Sequence, residues 1–287
     1  MGENYHGFVD SVSNLGGLHL QVMRSPPLSA IPISLSHTSD KEKRILLSKE
    51  VQSLILKGAI ERVRDPFQSP VFYSRLFLAL KKTGGMRPVI DRSILNTFLL
   101  VPHFKMETNR PIRSCIHPGM WTINLDLMDA YFHIPIAPPF RKFLRFVWDN
   151  TVYQFRTLPF GISMAPLVFT RVFQTVIAHL HTLSIQINSY LDDSLIKDFD
   201  QQTLVSQTEM IIQLFLNLGF LIYWKKLELT PSQNFLFLGE HYRTDLGLIF
   251  STRGNICIPL SGNSVVPTLS VRNSQIVFST HSRKRFR

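Results

Sequence analysis

The stretch "SIQINSYLDDSLIKDF" (residues 184–199) alternates apolar and polar side chains, reaches two adjacent aspartates, Asp192 and Asp193, and resumes as a second apolar run. It reads as two strands joined through a turn that carries two like charges. An isolated Asp-Asp pair is a common solvated turn, because Asp bonds its own backbone there. The rest of the chain decides between that reading and a chemical one.

Upstream, "WTINLDLMDAYFHI" (121–134) reads as a strand running into a short helix, with Asp126 at the strand's end. Taken alone, Asp126 reads first as an N-cap for the turn around Asp129. Taken with Asp192, it is a second carboxylate at the end of an apolar strand. Carboxylates at neighbouring strand ends share divalent ions, which neutralise their repulsion. Two magnesium ions about 3.5–4 Å apart stabilise the attacking and leaving oxygens of an in-line phosphoryl displacement. Such chemistry also needs a basic groove and an apolar floor.

The charge distribution supplies the first of these. The 287 residues carry a net charge of +11, with a pI near 9.9. Residues 57–145 hold 14 Lys and Arg against 6 Asp and Glu, and residues 251–287 hold 6 against none. A concentration of this kind suits a polyanion such as nucleic acid. Hydrophobic residues make up 45% of the chain, enough for a sizeable core. The two cysteines, Cys115 and Cys257, are too few for a disulfide framework or a zinc site. No apolar run is long enough to span a bilayer, and the first residues lack a signal peptide's basic start and apolar core. The expectation is a cytoplasmic or nuclear protein that is neither secreted nor membrane-bound.

Further elements follow from periodicity. "KEKRILLSKEVQSLILKGAI" (41–60) has helical spacing with Gly58 as its stop. "SPVFYSRLFLALKKTGGMRPVIDRS" (69–93) reads as two strands about a Gly84-Gly85 turn, and "FLRFVWDNTVYQFRTL" (143–158) as a hairpin turning at Asp149-Asn150. "SMAPLVFTRVFQTVIAHLHTL" (163–183) is an amphipathic helix, a further helix covers 201–218, and "FLIYW" and "FLFLG" read as short closing strands. The order argues for an α+β fold, an antiparallel sheet with helices on one face. Residues 1–40 read as an extended lead-in, 41–250 as the ordered region, and 251–287 as a basic, disordered tail. His133, His179 and His181 lack metal-ligand spacing and read as structural.

In that order, "LDLMDAYFHI", "LPFGISMAP", "SYLDDSLI" and "FLFLG" resemble consecutive motifs of retroelement reverse transcriptases, with "EVQSLILKGAIERV", "RPVIDRSILN" and "FKMETNRPI" fitting upstream. The combination is most similar to DIRS-type retrotransposons, with gypsy-type LTR elements next. Over residues 40–250 the resemblance implies the fingers and palm of an RNA-directed DNA polymerase, copying an RNA or DNA template-primer with dNTPs and two Mg2+ ions, Mn2+ being the alternative. It implies that Asp126, Asp192 and Asp193 are catalytic and bind metal, joined by the main-chain carbonyl of Leu127. Tyr131 takes the place of an aromatic gate against a ribose 2′-hydroxyl. Lys82 and Arg87 match positions that grip the triphosphate, with Lys81 able to replace Lys82. Leu158 to Gly161, with Phe160 and Gly161 at its end, matches the loop under template and incoming base, and Lys226 the lysine near the leaving pyrophosphate.

The sequence also departs from the pattern. Tyr223 and Leu227 stand where asparagine and serine are more usual, and Glu240 follows "FLG" in place of an apolar residue. No thumb, RNase H or tyrosine recombinase domain, which relatives encode, is recognisable after residue 260. The alternative expectation is therefore a truncated, inactive remnant that binds nucleic acid. A different palm-fold enzyme, a nucleotidyl cyclase, would carry a Gly-Gly-acidic hairpin where "YLDD" stands.

Overall fold

A computed structural model describes residues 16–81, 85–102, 104, 109–251, 257–260, 271–272 and 275–276. In chain order the elements are helix α1 (Lys41–Leu56), strands β1 (Ile60–Arg62), β2 (Tyr73–Ser74), β3 (Leu76–Leu80) and β4 (Met86–Ile90), short helices α2 (Ser93–Asn96) and α3 (Asn109–Ser114), and β5 (Trp121–Asp126). Two 3-10 turns, Ala130–His133 and Pro138–Phe143, lead to β6 (Arg145–Trp148) and β7 (Thr151–Phe155). Helix α4 (Ala165–Thr182), β8 (Ile187–Tyr190), β9 (Asp193–Asp198) and α5 (Gln201–Asn217) follow. The last elements are β10 (Asn234–Phe237), β11 (Glu240–Arg243), β12 (Leu248–Ser251), β13 (Cys257–Pro259), β14 (Val271–Arg272) and β15 (Gln275–Ile276). The fold is α+β, as the element order leads one to expect.

The chain forms two compact units, residues 1–104 with 129–173, and residues 105–128 with 174–287. In the first, a sheet of order β1-β7-β6-β2 stands beside the β3–β4 hairpin. The Asp149-Asn150 turn joins β6 to β7 with both residues at positive φ, the backbone that a tight hairpin turn requires. Helix α1 begins where the Asp40 side chain accepts hydrogen bonds from the Glu42 and Lys43 amides. It buries Leu47, Val51 and Leu54, one face at helical spacing, and ends before Gly58 in the left-handed region. Residues 16–40 form no helix or strand, but bridges at Leu18–Ile136, Val22–Leu99 and Ser29–Val71 tie them to this unit, and Leu18 and Leu20 are buried.

In the second unit, β5-β9-β8 form an antiparallel sheet, with Trp121 opposite Asp198 at one end and Asp126 opposite Asp193 at the other. Helix α5 is capped by the Asp200 carboxylate on the Thr203 amide and packs on β9 and β5 through Leu204, Thr208, Ile211 and Phe215. Strands β10 to β13 form a second antiparallel sheet.

Two sequence expectations change. "FLIYW" (220–224) is not a strand: Phe220 closes α5 through its amide on the Phe215 carbonyl, Ile222 makes a single bridge to Leu127, and the chain then turns at Tyr223. Of the run, Phe220 and Ile222 are buried, whereas Leu221 and Trp224 are exposed. The sheet also continues past residue 250, since β13 pairs with β12 inside the segment expected to be disordered. No helix among the described residues is long and apolar enough to cross a membrane.

Candidate active site

The β8–β9 hairpin turns through two residues, Leu191 and Asp192, between the paired Tyr190 and Asp193. Leu191 takes φ +55°, a left-handed conformation that costs a side-chain-bearing residue about 1–2 kcal/mol. The turn thereby carries Asp192 at its tip and starts β9 on Asp193, directly across the ladder from Asp126. The Asp192 carbonyl accepts the Leu127 amide at 2.9 Å, and the Asp126 carbonyl accepts the Tyr223 amide at 2.9 Å. The backbone at Asp126–Leu127 is therefore fixed from two sides. Asp126 ends a strand and does not cap the 3-10 turn; Asp129 occupies that cap position and makes no side-chain cap bond.

The electrostatics follow from this arrangement. Desolvation pushes the Asp192 carboxyl above the ordinary carboxylate range, and repulsion from Asp126 adds to it. Asp193 is pushed up by desolvation first, then by Asp192 and Asp126. Lys226 opposes both shifts. Its ammonium bonds the Asp126 carboxylate, lies 5.0 Å from the Tyr223 ring centroid, and is itself held above the usual lysine value, chiefly by that bond. The site thus gathers Asp126, Asp192, Asp193, Leu127 and Lys226 within one unit.

Its donors are hard oxygens, and two of its carboxyls resist ionisation where they stand, a condition that a divalent cation relieves. In kind, the residues fit Mg2+ or Mn2+. Among the described residues no group of three His, Cys, Asp or Glu side chains is drawn together as a finished ligand set, and Asp126 is engaged with Lys226.

The first unit assembles the other candidates that are described. Tyr131 lies in the Ala130–His133 turn, with its ring 4.8 Å from that of Phe160 and 6.0 Å from that of Phe169. Arg87 is exposed on β4 opposite Ala79, and together with Phe132, Phe155, Phe160 and Gly161 it lines a cavity of about 380 Å³. Lys82 lies outside the described residues; Lys81 is exposed, with its amide bonded to the Gly85 carbonyl. The Phe160–Gly161 bend is clamped by Asn96, whose Nδ2 donates to the Gly161 carbonyl at 2.8 Å and whose Oδ1 accepts the Ser163 amide at 3.0 Å. Gly161 has φ +89° and packs on Arg92.

Arg92 is a feature that sequence reading did not single out. Its guanidinium is buried, donates to Ser74 Oγ at 2.8 Å, and sits 4.9 Å from the centroid of the Phe155 ring. Burial pulls it down to about 9. Among the described residues, Nε and Nη2 have no hydrogen-bond partner. Local sequence gave no signal for it, since in "RPVIDRSILN" Arg92 stands between the polar Asp91 and Ser93. His181 has its Nε2 2.9 Å from the Ile187 carbonyl oxygen.

A family model described as "Reverse transcriptase (RNA-dependent DNA polymerase)" matches residues 79–242, a span that contains every candidate above. The chain is similar to the Gag-Pol polyprotein of Walleye dermal sarcoma virus, 25% identical over 219 residues, which are 74% of this chain and 12% of that polyprotein. Similarity to the Gag-Pol polyprotein of Rous sarcoma virus subgroup B (strain Schmidt-Ruppin) is 27% over 222 residues, 74% and 14% of the two chains. The Enzymatic polyprotein of Soybean chlorotic mottle virus is 23% identical over 230 residues, 78% and 32%. The matched region is thus a minor part of each polyprotein. Among solved structures, Prototype Foamy Virus protease-reverse transcriptase shares the fold with a TM-score of 0.62 at 18% identity, over 88% of this chain and 31% of that one.

Proposed function

The chain belongs to the reverse transcriptase (RNA-dependent DNA polymerase) family, and from that premise we propose that it is a template-directed DNA polymerase of a retroelement polyprotein, extending a primer on RNA or DNA with dNTPs. The observation that carries the reading is the register of the β5–β9 ladder, which sets Asp126 across from Asp193 with Asp192 in the adjoining turn. In this reading Asp126, Asp192, Asp193 and the Leu127 carbonyl would hold two Mg2+ ions, with Mn2+ as the alternative. Bound ions of this kind neutralise charge that develops on the attacking and leaving oxygens of an in-line displacement.

The chain's own residues do the remaining work. The fixed Asp126–Leu127 backbone orients the carboxylates before substrate arrives, which removes reorganisation from the reaction itself. Lys226, held above the usual lysine value chiefly by its bond to Asp126, neutralises charge beside it. Tyr131, braced by Phe160 and Phe169, presents a ring that excludes a 2′-hydroxyl by clash. Arg87, with Lys82, would grip the triphosphate. Phe160 and Gly161 would support the template and incoming base from a bend held by Asn96. The affinity to DIRS-type elements is supported by the sequence motifs alone, and RNase H and recombinase partners belong to the same proposal.

Primer extension on an RNA template with the purified chain, Mg2+ and dNTPs tests this. Templated product that disappears with Asp126→Asn is the expected result. A correctly folded chain that binds template-primer but extends nothing, with either Mg2+ or Mn2+, would instead leave a nucleic-acid-binding remnant.

A further inference from the structure

Lys226 reaches the carboxylates by a short, anchored route. The Asp126 carbonyl holds the Tyr223 amide, and the Tyr223 carbonyl accepts the Lys226 amide at 3.0 Å. The chain so turned brings the Lys226 ammonium back to the side chain of Asp126 itself, with the Tyr223 ring beneath it. Asp126 is mostly buried, at 14% side-chain exposure, whereas Lys226 is open at 61%. The contact therefore joins a fixed, desolvated anion to a flexible, solvated cation.

We propose that Lys226 competes with a divalent ion for the Asp126 carboxylate, and so sets the metal affinity of the three aspartates. This rests on the metal reading above. One carboxylate accepting a full ammonium bond has less charge to offer a second cation. The field of the same ammonium reaches Asp192 and Asp193 as well, so its presence weakens the whole donor set for metal. The pair is also easily opened. An ion pair with a largely exposed lysine is weak, and its four-carbon stem swings away without disturbing the backbone. A doubly charged ion gains more from Asp126 than the lysine does, because Asp192 and Asp193 are available to it together. Tethering in a turn anchored on Asp126 returns the lysine when the ion leaves. The three carboxylates are then never left in mutual repulsion without a cation.

The test is Mn2+ binding to the full 287-residue chain, followed by the electron paramagnetic resonance of the free ion, with no nucleic acid or nucleotide present. Lys226→Met is expected to tighten Mn2+ binding about fivefold, the equivalent of one weak ion pair. Lys225→Met removes the same charge from the adjacent exposed position and is expected to leave the affinity unchanged. In thermal melting, Mn2+ is expected to raise the midpoint of Lys226→Met more than that of the wild type. Equal Mn2+ affinity in the wild type and Lys226→Met would overturn the inference, as would an equal gain in Lys225→Met, which would mark a general charge effect. If neither the wild type nor Lys226→Met binds Mn2+, the metal reading fails and takes this inference with it.

Discussion

Asp192 sits at the tip of a two-residue turn, with Asp193 beside it and Asp126 across the ladder from Asp193. The same crowding that suits metal works against the fold. Raised carboxyl values mean that the folded state binds protons more readily than the unfolded chain. That contribution to stability is complete below the unfolded value, near 3.8, and is lost as pH rises through the raised folded values. At neutral pH the ionised pair is a net cost. Asp192→Asn is therefore expected to abolish extension, by about 1,000-fold or more, while raising the melting midpoint by about 1–3 °C in the absence of divalent ions. A variant that still extends at the wild-type rate in Mg2+ would end the catalytic assignment; a lowered midpoint would end the repulsion argument. Tyr131→Val tests the other half of the chemistry. With the ring removed, discrimination against ribonucleotides is expected to fall about tenfold or more. The comparison is incorporation of a ribo- and a deoxynucleotide by the two forms, and an unchanged ratio in an active variant would make Tyr131 a packing residue. The aspartates were legible in the sequence because strand ends and motif order mark them. The Lys226–Asp126 bond was not, because it joins residues 100 apart through a turn that reads as a strand.

At the scale of elements, two side-chain networks hold what the strands alone do not. Glu240, noted in the sequence as a departure, is buried on β11 and accepts two hydrogen bonds from Arg113 of α3 and one from the Tyr242 hydroxyl at 2.9 Å. A carboxylate replaces an apolar residue there because its partner arrives from 127 residues away, which pattern reading does not reveal. The pair ties α3 to the β10–β13 sheet; the bond to Glu240 holds Arg113 above its usual value, while burial first, and Glu240 second, pushes Tyr242 well above its own. Glu240→Ala is expected to cost about 2–4 kcal/mol, with most of that loss absent when Arg113→Ala is already in place. Urea unfolding of the two single variants and the double variant measures the coupling; additive losses would show that the pair is incidental. The second network is the Asn96 clamp on the Phe160–Gly161 bend. Asn96→Ala removes both bonds that hold the bend, and is expected to cost about 1–2 kcal/mol and to raise KM for dNTP more than it lowers kcat. A lower kcat at unchanged KM would show that the clamp does not position the bend for nucleotide. "LPFG" announced the bend, but its support from "RPVIDRSILN" is tertiary and so invisible to local spacing.

Over the whole molecule, the chain passes between its two units at residues 104/105, 128/129 and 173/174. Residues 41–250, read from the sequence as a continuous fingers-and-palm region, are divided between two units, neither of which is continuous in sequence. Charge is a property that composition does report at this scale. The chain has a net charge of +11, with 14 Lys and Arg between residues 57 and 145 against 6 acidic residues. Part of that charge is already spent within the protein: Lys57 pairs with Asp129, Arg113 with Glu240, and Arg141 with Glu61. Arg62, Arg64, Lys81 and Arg87 are exposed in the described structure, and under the proposed function they are the candidates for phosphate contacts. Each phosphate neutralised releases condensed counterions, so binding weakens linearly in the logarithm of salt with a slope near −0.9 per contact on duplex DNA. About four contacts imply a loss of roughly 100-fold in affinity for a primer-template between 50 and 200 mM salt. Fluorescence anisotropy with a labelled primer-template across that range gives the slope directly. Replacing Arg62 and Arg64 by Gln is expected to reduce the slope by about two if both arginines touch the backbone. A steep wild-type slope that the double variant leaves unchanged would assign the contacts to other basic residues. An affinity indifferent to salt would mean that the positive charge of this chain serves something other than nucleic acid.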